Sequence, residues 1–268
     1  MTLTNVRVGM AQMLVQPGQR DHNLSRAIEM IRGAAAAGCD IVVLPECLDL
    51  GWTHDSARSE ATAVPGAITD ALSFAAVEND ILVAAGLTER SGGRIYNAAV
   101  LISAQGEILL HHRKISELDF AKNLYSVGSS LAVADTSIGR VGLNICADNS
   151  LSSRALGQTL GHMGAQLIVS PCSWAVPPDH DNVADPYGGP WHESYSSLAD
   201  AFGLAIVGVS NVGPVVGGDW NGWRCIGNSL AIGPDGNVLV KGPYGEQAEE
   251  LLIATVPLDT SAQPSSPA

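Results

Sequence analysis

The sequence predicts a layered α/β domain, with a core of mixed β-sheet and helices on the outside. Three observations carry that expectation. Short continuous apolar runs, such as "DIVVLP" (40–45) and "QLIVSP" (166–171), have the length of strands covered on both faces. Segments with helical spacing alternate with such runs, as in β-α-β units. Paired strand patterns with Gly at the turn stand among them and read as antiparallel hairpins.

The elements follow in order. "VRVGMAQ" (6–12) opens as a strand, and a helix is expected over 21–38, with Asp21 as its N-cap and Gly38 as its stop. "CDIVVLPE" (39–46) is the next strand. A helix over "AITDALSFAAVEN" (67–79) leads into the strand "DILVAAGLTE" (80–89). Residues 96–114 read as two strands turned at Gln105-Gly106, and 131–146 as a second pair turned near Gly139. A helix over 153–165, a strand over 166–174, a helix over 194–203 and a strand over 204–212 follow. The hairpin "SLAIGPDGNVLVKG" (229–242) turns at "PDGN", and "TSAQPSSPA" (260–268) reads as a disordered tail. With no linker or repeat along the way, one domain over 1–259 is expected. The stretch 175–191 carries four prolines, two adjacent glycines and no periodicity. So long a loop, directly after a strand, marks a lid or pocket wall.

Composition narrows the function. The 268 residues are 46% hydrophobic and 15% charged, enough for a sizeable core. Acids outnumber bases 27 to 14, and the net charge of −13 repels phosphate backbones and anionic membranes. A small-molecule substrate is therefore expected, with neither nucleic acid nor membrane as partner. Five cysteines (39, 47, 146, 172, 225) show no C-x-x-C and no zinc-type spacing, so no metal or cofactor is expected. No secretory leader is legible and no apolar run reaches the roughly 20 residues of a membrane helix, which points to a reduced, cytoplasmic protein.

Ligands of open α/β sheets sit beyond the carboxyl ends of the strands. Three polar groups stand at such ends: Glu46 after "DIVVLP", Lys114 after "EILLHHR" and Cys146 after "RVGLNI". If their strands share a sheet and a direction, the three side chains converge. A thiol, a carboxylate able to take its proton and an ammonium able to meet an oxyanion then form a complete set for attack on a carbonyl or nitrile carbon. Taken singly, each has a plainer reading: Cys146 as a core thiol, Lys114 as a surface cation, Glu46 as a paired or solvated acid.

"LPE" (44–46), "HRK" (112–114) and "GLNICAD" (142–148) resemble, in order and spacing, the Glu, Lys and Cys motifs of the nitrilase superfamily of carbon–nitrogen hydrolases. The resemblance extends through "VRVGMAQM", "YNAAVLISAQGEILLHHRK" and "GAQLIVSPCSW", to about residue 256. It implies a four-layer α-β-β-α sandwich that pairs into homodimers through helices near the nucleophile. It also implies Glu46 as general base, Lys114 as stabiliser of the intermediate and Cys146 as nucleophile. Ala147-Asp148 stands where true nitrilases typically carry Trp-Glu, so an amidase-like member is expected. Amide-hydrolysing relatives often carry a second glutamate before an aromatic-x-x-Gly stretch. Aligning Tyr125 and Gly128 to that stretch leaves Ala121 or Lys122 at its place, with Glu117 and Asp119 the nearest acids.

Around this set, Cys172, Trp174, Tyr187 and Trp191 border the long loop and are candidates to line a pocket, while Ala147 and Asn149 follow the nucleophile. The expected activity is hydrolysis of a small linear amide or N-carbamoyl compound through a cysteine thioester. Nitrile hydrolysis, acyl transfer to an amine and a binding role without turnover remain alternatives. Arg113, Arg154 and Arg224 are the arginines that could hold a substrate carboxylate.

Overall fold

The computed structural model describes residues 3–259; the tail expected at 260–268 lies outside the described residues. Strands and helices are numbered along the chain. The first sheet contains β1 (Leu3–Gln12), β2 (Ile41–Val43), β3 (Leu82–Ser91), β4 (Arg94–Ile102), β5 (Ile108–Arg113) and β15 (Glu250–Asp259), in the order β15-β1-β2-β3-β4-β5. The second holds β6 (Val133–Thr136), β7 (Gly139–Leu143), β8 (Leu167–Cys172), β10 (Ala205–Ser210), β13 (Leu230–Ile232) and β14 (Val238–Lys241), in the order β14-β13-β10-β8-β7-β6. Both sheets mix parallel central strands with antiparallel edges.

The apolar runs are buried on both faces. Ile41 and Val43 point into the core between the sheets, with Val8, Met10, Val141, Leu143, Leu167 and Val169. Val42 and Leu44 point the other way, toward helices α1 (Arg20–Ala36) and α3 (Ala67–Asn79). Those helices answer with stripes at helical spacing: Ala27, Ile31 and Ala34 from α1, and Ile68, Leu72, Ala75 and Ala76 from α3. Helices α4 (Arg154–His162) and α5 (Gly189–Phe202) cover the second sheet through Leu160, Tyr195, Leu198 and Ala199. The architecture is the four-layer α-β-β-α sandwich. A further α-helix, α2 (Ala57–Glu60), is a single turn. A small third sheet, β9 (Ala175–Val176), β11 (Val212–Pro214) and β12 (Arg224–Ile226), joins loops that border the site.

Three expectations need correction. Asp21 lies inside the first turn of α1 and caps nothing; the helix starts from Gln19, because Asn23 is drawn inward to bond the backbone of Gln16 and Asp49. Helix α5 begins at Gly189, five residues before the expected Ser194, so the long loop is shorter than it reads. Its Gly-Pro signal marks a helix start, where a proline gives up no intrahelical bond. The strand β15, absent from the expected order, pairs with β1 over ten residues from Leu3↔Asp259 to Gln12↔Glu250. Its burial pattern alternates toward the end, with Ala254, Val256 and Leu258 inside.

Candidate active site

Glu46, Lys114 and Cys146 line one cavity of 230 Å³. They reach it from two packed sheets, so their convergence does not depend on a shared sheet. Glu46 follows β2 and Lys114 follows β5, which run the same way in the first sheet. Cys146 follows β7 of the second. A Glu46 N–H bond to the Cys172 carbonyl (3.2 Å) ties the sheets together at this end.

The Glu46 carboxylate is 1% exposed. Its Oε1 accepts from Lys114 Nζ (2.6 Å) and from Asn97 Nδ2 (2.6 Å), whereas Oε2 has no hydrogen-bond partner among the described residues. One oxygen is thus fixed and the other is left to accept. Gly86 on β3 makes this placement possible, because a Cβ there would meet the Glu46 Cα at 2.6 Å and the Pro45 carbonyl at 2.7 Å.

Lys114 is 2% exposed, and Glu117 lies behind it, 3.9 Å from Nζ. Burial disfavours the ammonium, but Glu46 and Glu117 outweigh it and hold the lysine firmly protonated. Burial, opposed by Lys114 but reinforced by Glu46, pushes the Glu117 carboxyl up to about 7. Of the two acids proposed near the lysine, then, Glu117 is brought to the site. Asp119 is not: its side chain is 98% exposed and pairs with Lys122 in solvent.

Cys146 sits on a sharp turn from β7 into a 3-10 turn, Cys146–Asn149, with φ of +43°. A non-glycine residue there stores strain, of the order of 1–3 kcal/mol, and the fold has to supply it. Its N–H bonds Ser170 Oγ (3.0 Å), which also accepts from Asn149 Nδ2 (3.0 Å). The N–H of Ala147 makes no hydrogen bond among the described residues. The neighbouring Cys172 thiol, together with burial and the nearby Glu46, pushes the Cys146 thiol well up. The resting sulfur is a thiol, and only a base beside it makes a nucleophile of it.

Ala147, Trp174, Tyr187 and Trp191 line the cavity. Cys172 and Asn149 do not; both are buried, and Asn149, the last residue of the turn, exchanges two bonds with Asn144 (2.6 and 2.7 Å). Sequence reasoning missed Trp52 and Trp220, which supply another wall, with ring centroids 5.2 Å apart. It also missed Asp148. That buried carboxylate accepts from the N–H groups of Ile145 (3.1 Å), Ile115 (3.1 Å) and Ser116 (2.7 Å) and pairs with His112 Nε2 (2.8 Å). Burial opposes its charge, but these partners keep its pKa below the ordinary value. Asp148 therefore bolts the turn bearing Cys146 to the segment bearing Lys114. The signal was present: an acid two residues after an apolar run must find partners if it is buried.

A family model described as carbon-nitrogen hydrolase matches residues 7–263. The chain belongs to the carbon–nitrogen hydrolase family. Among curated relatives it is 32% identical over 179 residues to omega-amidase NIT2-B of Xenopus laevis. That match takes in 63% of this chain and spans 64% of the relative's length. It is 29% identical over 258 residues to a nitrilase of Pyrococcus abyssi, covering 94% of this chain and 90% of that one. Among solved structures, an amidase from Nesterenkonia sp. superposes with a TM-score of 0.80 at 20% identity, over 96% of this chain and 92% of its own. A carbon-nitrogen hydrolase from Helicobacter pylori G27 gives 0.80 at 21%, over 94% and 89%. These likenesses agree with the sandwich fold of the family. Among the described residues, no group of three or more His, Cys, Asp or Glu side chains is arranged to hold a metal ion. Among the described residues, too, no helix is long and apolar enough to cross a membrane.

Proposed function

We propose that this family member is a cysteine-dependent amide hydrolase, cleaving a small linear amide or N-carbamoyl compound. The observation that carries the reading is the Glu46 carboxylate, with one oxygen clamped by Lys114 and Asn97 and the other unpartnered, in the cavity that Cys146 lines. Glu46 Oε2 takes the thiol proton as sulfur adds to the substrate carbonyl. The oxyanion is met by the Lys114 ammonium and the Ala147 N–H. Glu46 then returns the proton to the nitrogen, the C–N bond breaks and ammonia leaves a thioester on Cys146. Water, deprotonated by Glu46, adds to the thioester. Collapse of that adduct expels the sulfur, which regains a proton, and releases the acid. Glu117 touches no substrate in this scheme; it steadies Lys114 from behind.

The test is ammonia release across amides, N-carbamoyl amines and nitriles by the protein and by Cys146→Ala. Turnover of amides or carbamoyl compounds that disappears in the variant supports the reading. Turnover confined to nitriles, the activity in the Pyrococcus relative's name, would replace it. An independent probe is 2-fluoroacetamide, whose acetamide moiety adds to the active-site cysteine in a variant of the Nesterenkonia amidase. Here a single adduct on Cys146 is expected by mass spectrometry. The assembly we propose is a homodimer through α4 and α5, supported by exposed Leu151 and Met163 beside α4 and testable by sedimentation. Five unpaired cysteines support a reducing, cytoplasmic setting.

A further inference from the structure

The cavity walls are aromatic. Trp174 and Trp191 stack at 5.3 Å and 24°, and Trp191 donates its indole N–H to the Tyr187 hydroxyl (3.0 Å). Trp52 and Trp220 meet edge to face, and Leu118 completes the apolar lining. Beyond Glu46, Lys114 and Cys146, the polar side chains lining the cavity belong to Ser150, Ser152 and Ser173, apart from the Tyr187 hydroxyl and indole nitrogens.

Charge is arranged just as one-sidedly. Among the described residues Lys114 is the only cation lining the cavity, and its charge is already taken by Glu46 at 2.6 Å and Glu117 at 3.9 Å. None of the three arginines that could have held a carboxylate lines it. Arg113 faces another surface depression, where it donates to Glu89 (2.6 and 2.7 Å) and lies over the Tyr96 ring at 4.1 Å. A carboxylate on the acyl group would lose its water here and meet Glu46, with serine hydroxyls and indole N–H groups to bond it but no free cation to pair with it. The net charge of −13 adds long-range repulsion.

We infer that the acyl group of the substrate is neutral, apolar and planar, that of an aryl or arylalkyl primary amide, and that monoamides of dicarboxylic acids are rejected. This rests on the amide-hydrolase reading above. The cavity of 230 Å³ sits below the roughly 300–1,000 Å³ of drug-sized sites, so the acyl group is no larger than one ring and a short stem. Its flat face lies against indole, where aromatic contacts add to area burial.

Three amides separate the terms: butyramide, succinamate and phenylacetamide. Succinamate matches butyramide in length and differs by an ionised carboxylate. The expected kcat/KM for butyramide exceeds that for succinamate by ~100-fold or more, and phenylacetamide exceeds butyramide by about tenfold. In Trp191→Ala, with folding checked by circular dichroism, the advantage of phenylacetamide over butyramide shrinks. Succinamate hydrolysed as well as butyramide, or phenylacetamide no better than butyramide, would overturn the substrate class and leave the amide hydrolase standing. Failure of every amide in the wider panel would remove the amide-hydrolase reading itself, and this inference with it.

Discussion

At the scale of the residue, the site is a set of buried charges that hold one another in place. Glu117 shows how directly this can be measured. Its carboxyl is ordinary in the unfolded chain and, chiefly through burial, is raised to about 7 in the fold. A raised acid stabilises the fold in its neutral form. That contribution is complete below about 4.5 and is lost as pH rises through about 7. Glu117→Gln keeps the neutral shape at every pH. Between pH 5 and 8 the variant should therefore gain on the parent by up to roughly 3 kcal/mol in urea unfolding. An unchanged difference would mean that Glu117 is not buried as described. In catalysis the same variant should lose kcat by about 10- to 100-fold with a smaller change in KM, because it shifts Lys114 without touching substrate.

At the scale of the element, strand ends and turns set distances that side chains cannot choose. Gly86 lets β3 pass against the backbone of Glu46, so Gly86→Val should displace the carboxylate. Activity should fall by about 100-fold or more, with destabilisation of about 1–3 kcal/mol. Retained activity would show that the turn at Glu46 can move without penalty. Asp148 joins two elements, and Asp148→Ala leaves three N–H groups and His112 without their acceptor. The expected loss is about 3 kcal/mol in equilibrium unfolding, with kcat reduced even where the protein stays folded. How much of this was legible differs by element. The helix at 67–79 and the hairpins at 96–114 and 131–146 could be read because their periodicity and turn residues are local. The start of α5 could not, since Gly188, Gly189 and Pro190 suit a loop and a helix cap equally.

At the scale of the whole molecule, strands far apart in sequence complete the first sheet. β15 covers the edge of β1 and sends Ala254, Val256 and Leu258 into the core. A chain truncated after Glu249 should bare that edge together with an apolar face, and its soluble yield should collapse. A soluble, cooperatively melting truncate would show that the first sheet is complete without it. One calorimetric transition is expected for the intact chain, because a single core links both sheets with α4 and α5.

By itself, the sequence determined the layered α/β class, the alternation of strands and helices, and the three polar residues at strand ends. Apolar period, turn chemistry and residue type are properties of short stretches, and the ordered motifs of a family survive in them. Only the tertiary structure decided that Glu46 and Lys114 face Cys146 across two sheets, that Glu117 is buried while Asp119 is solvated, and that Trp52 and Trp220 wall the cavity. Such facts depend on packing between segments tens to hundreds of residues apart. Residue type in one segment does not say which distant side chain will exclude its water.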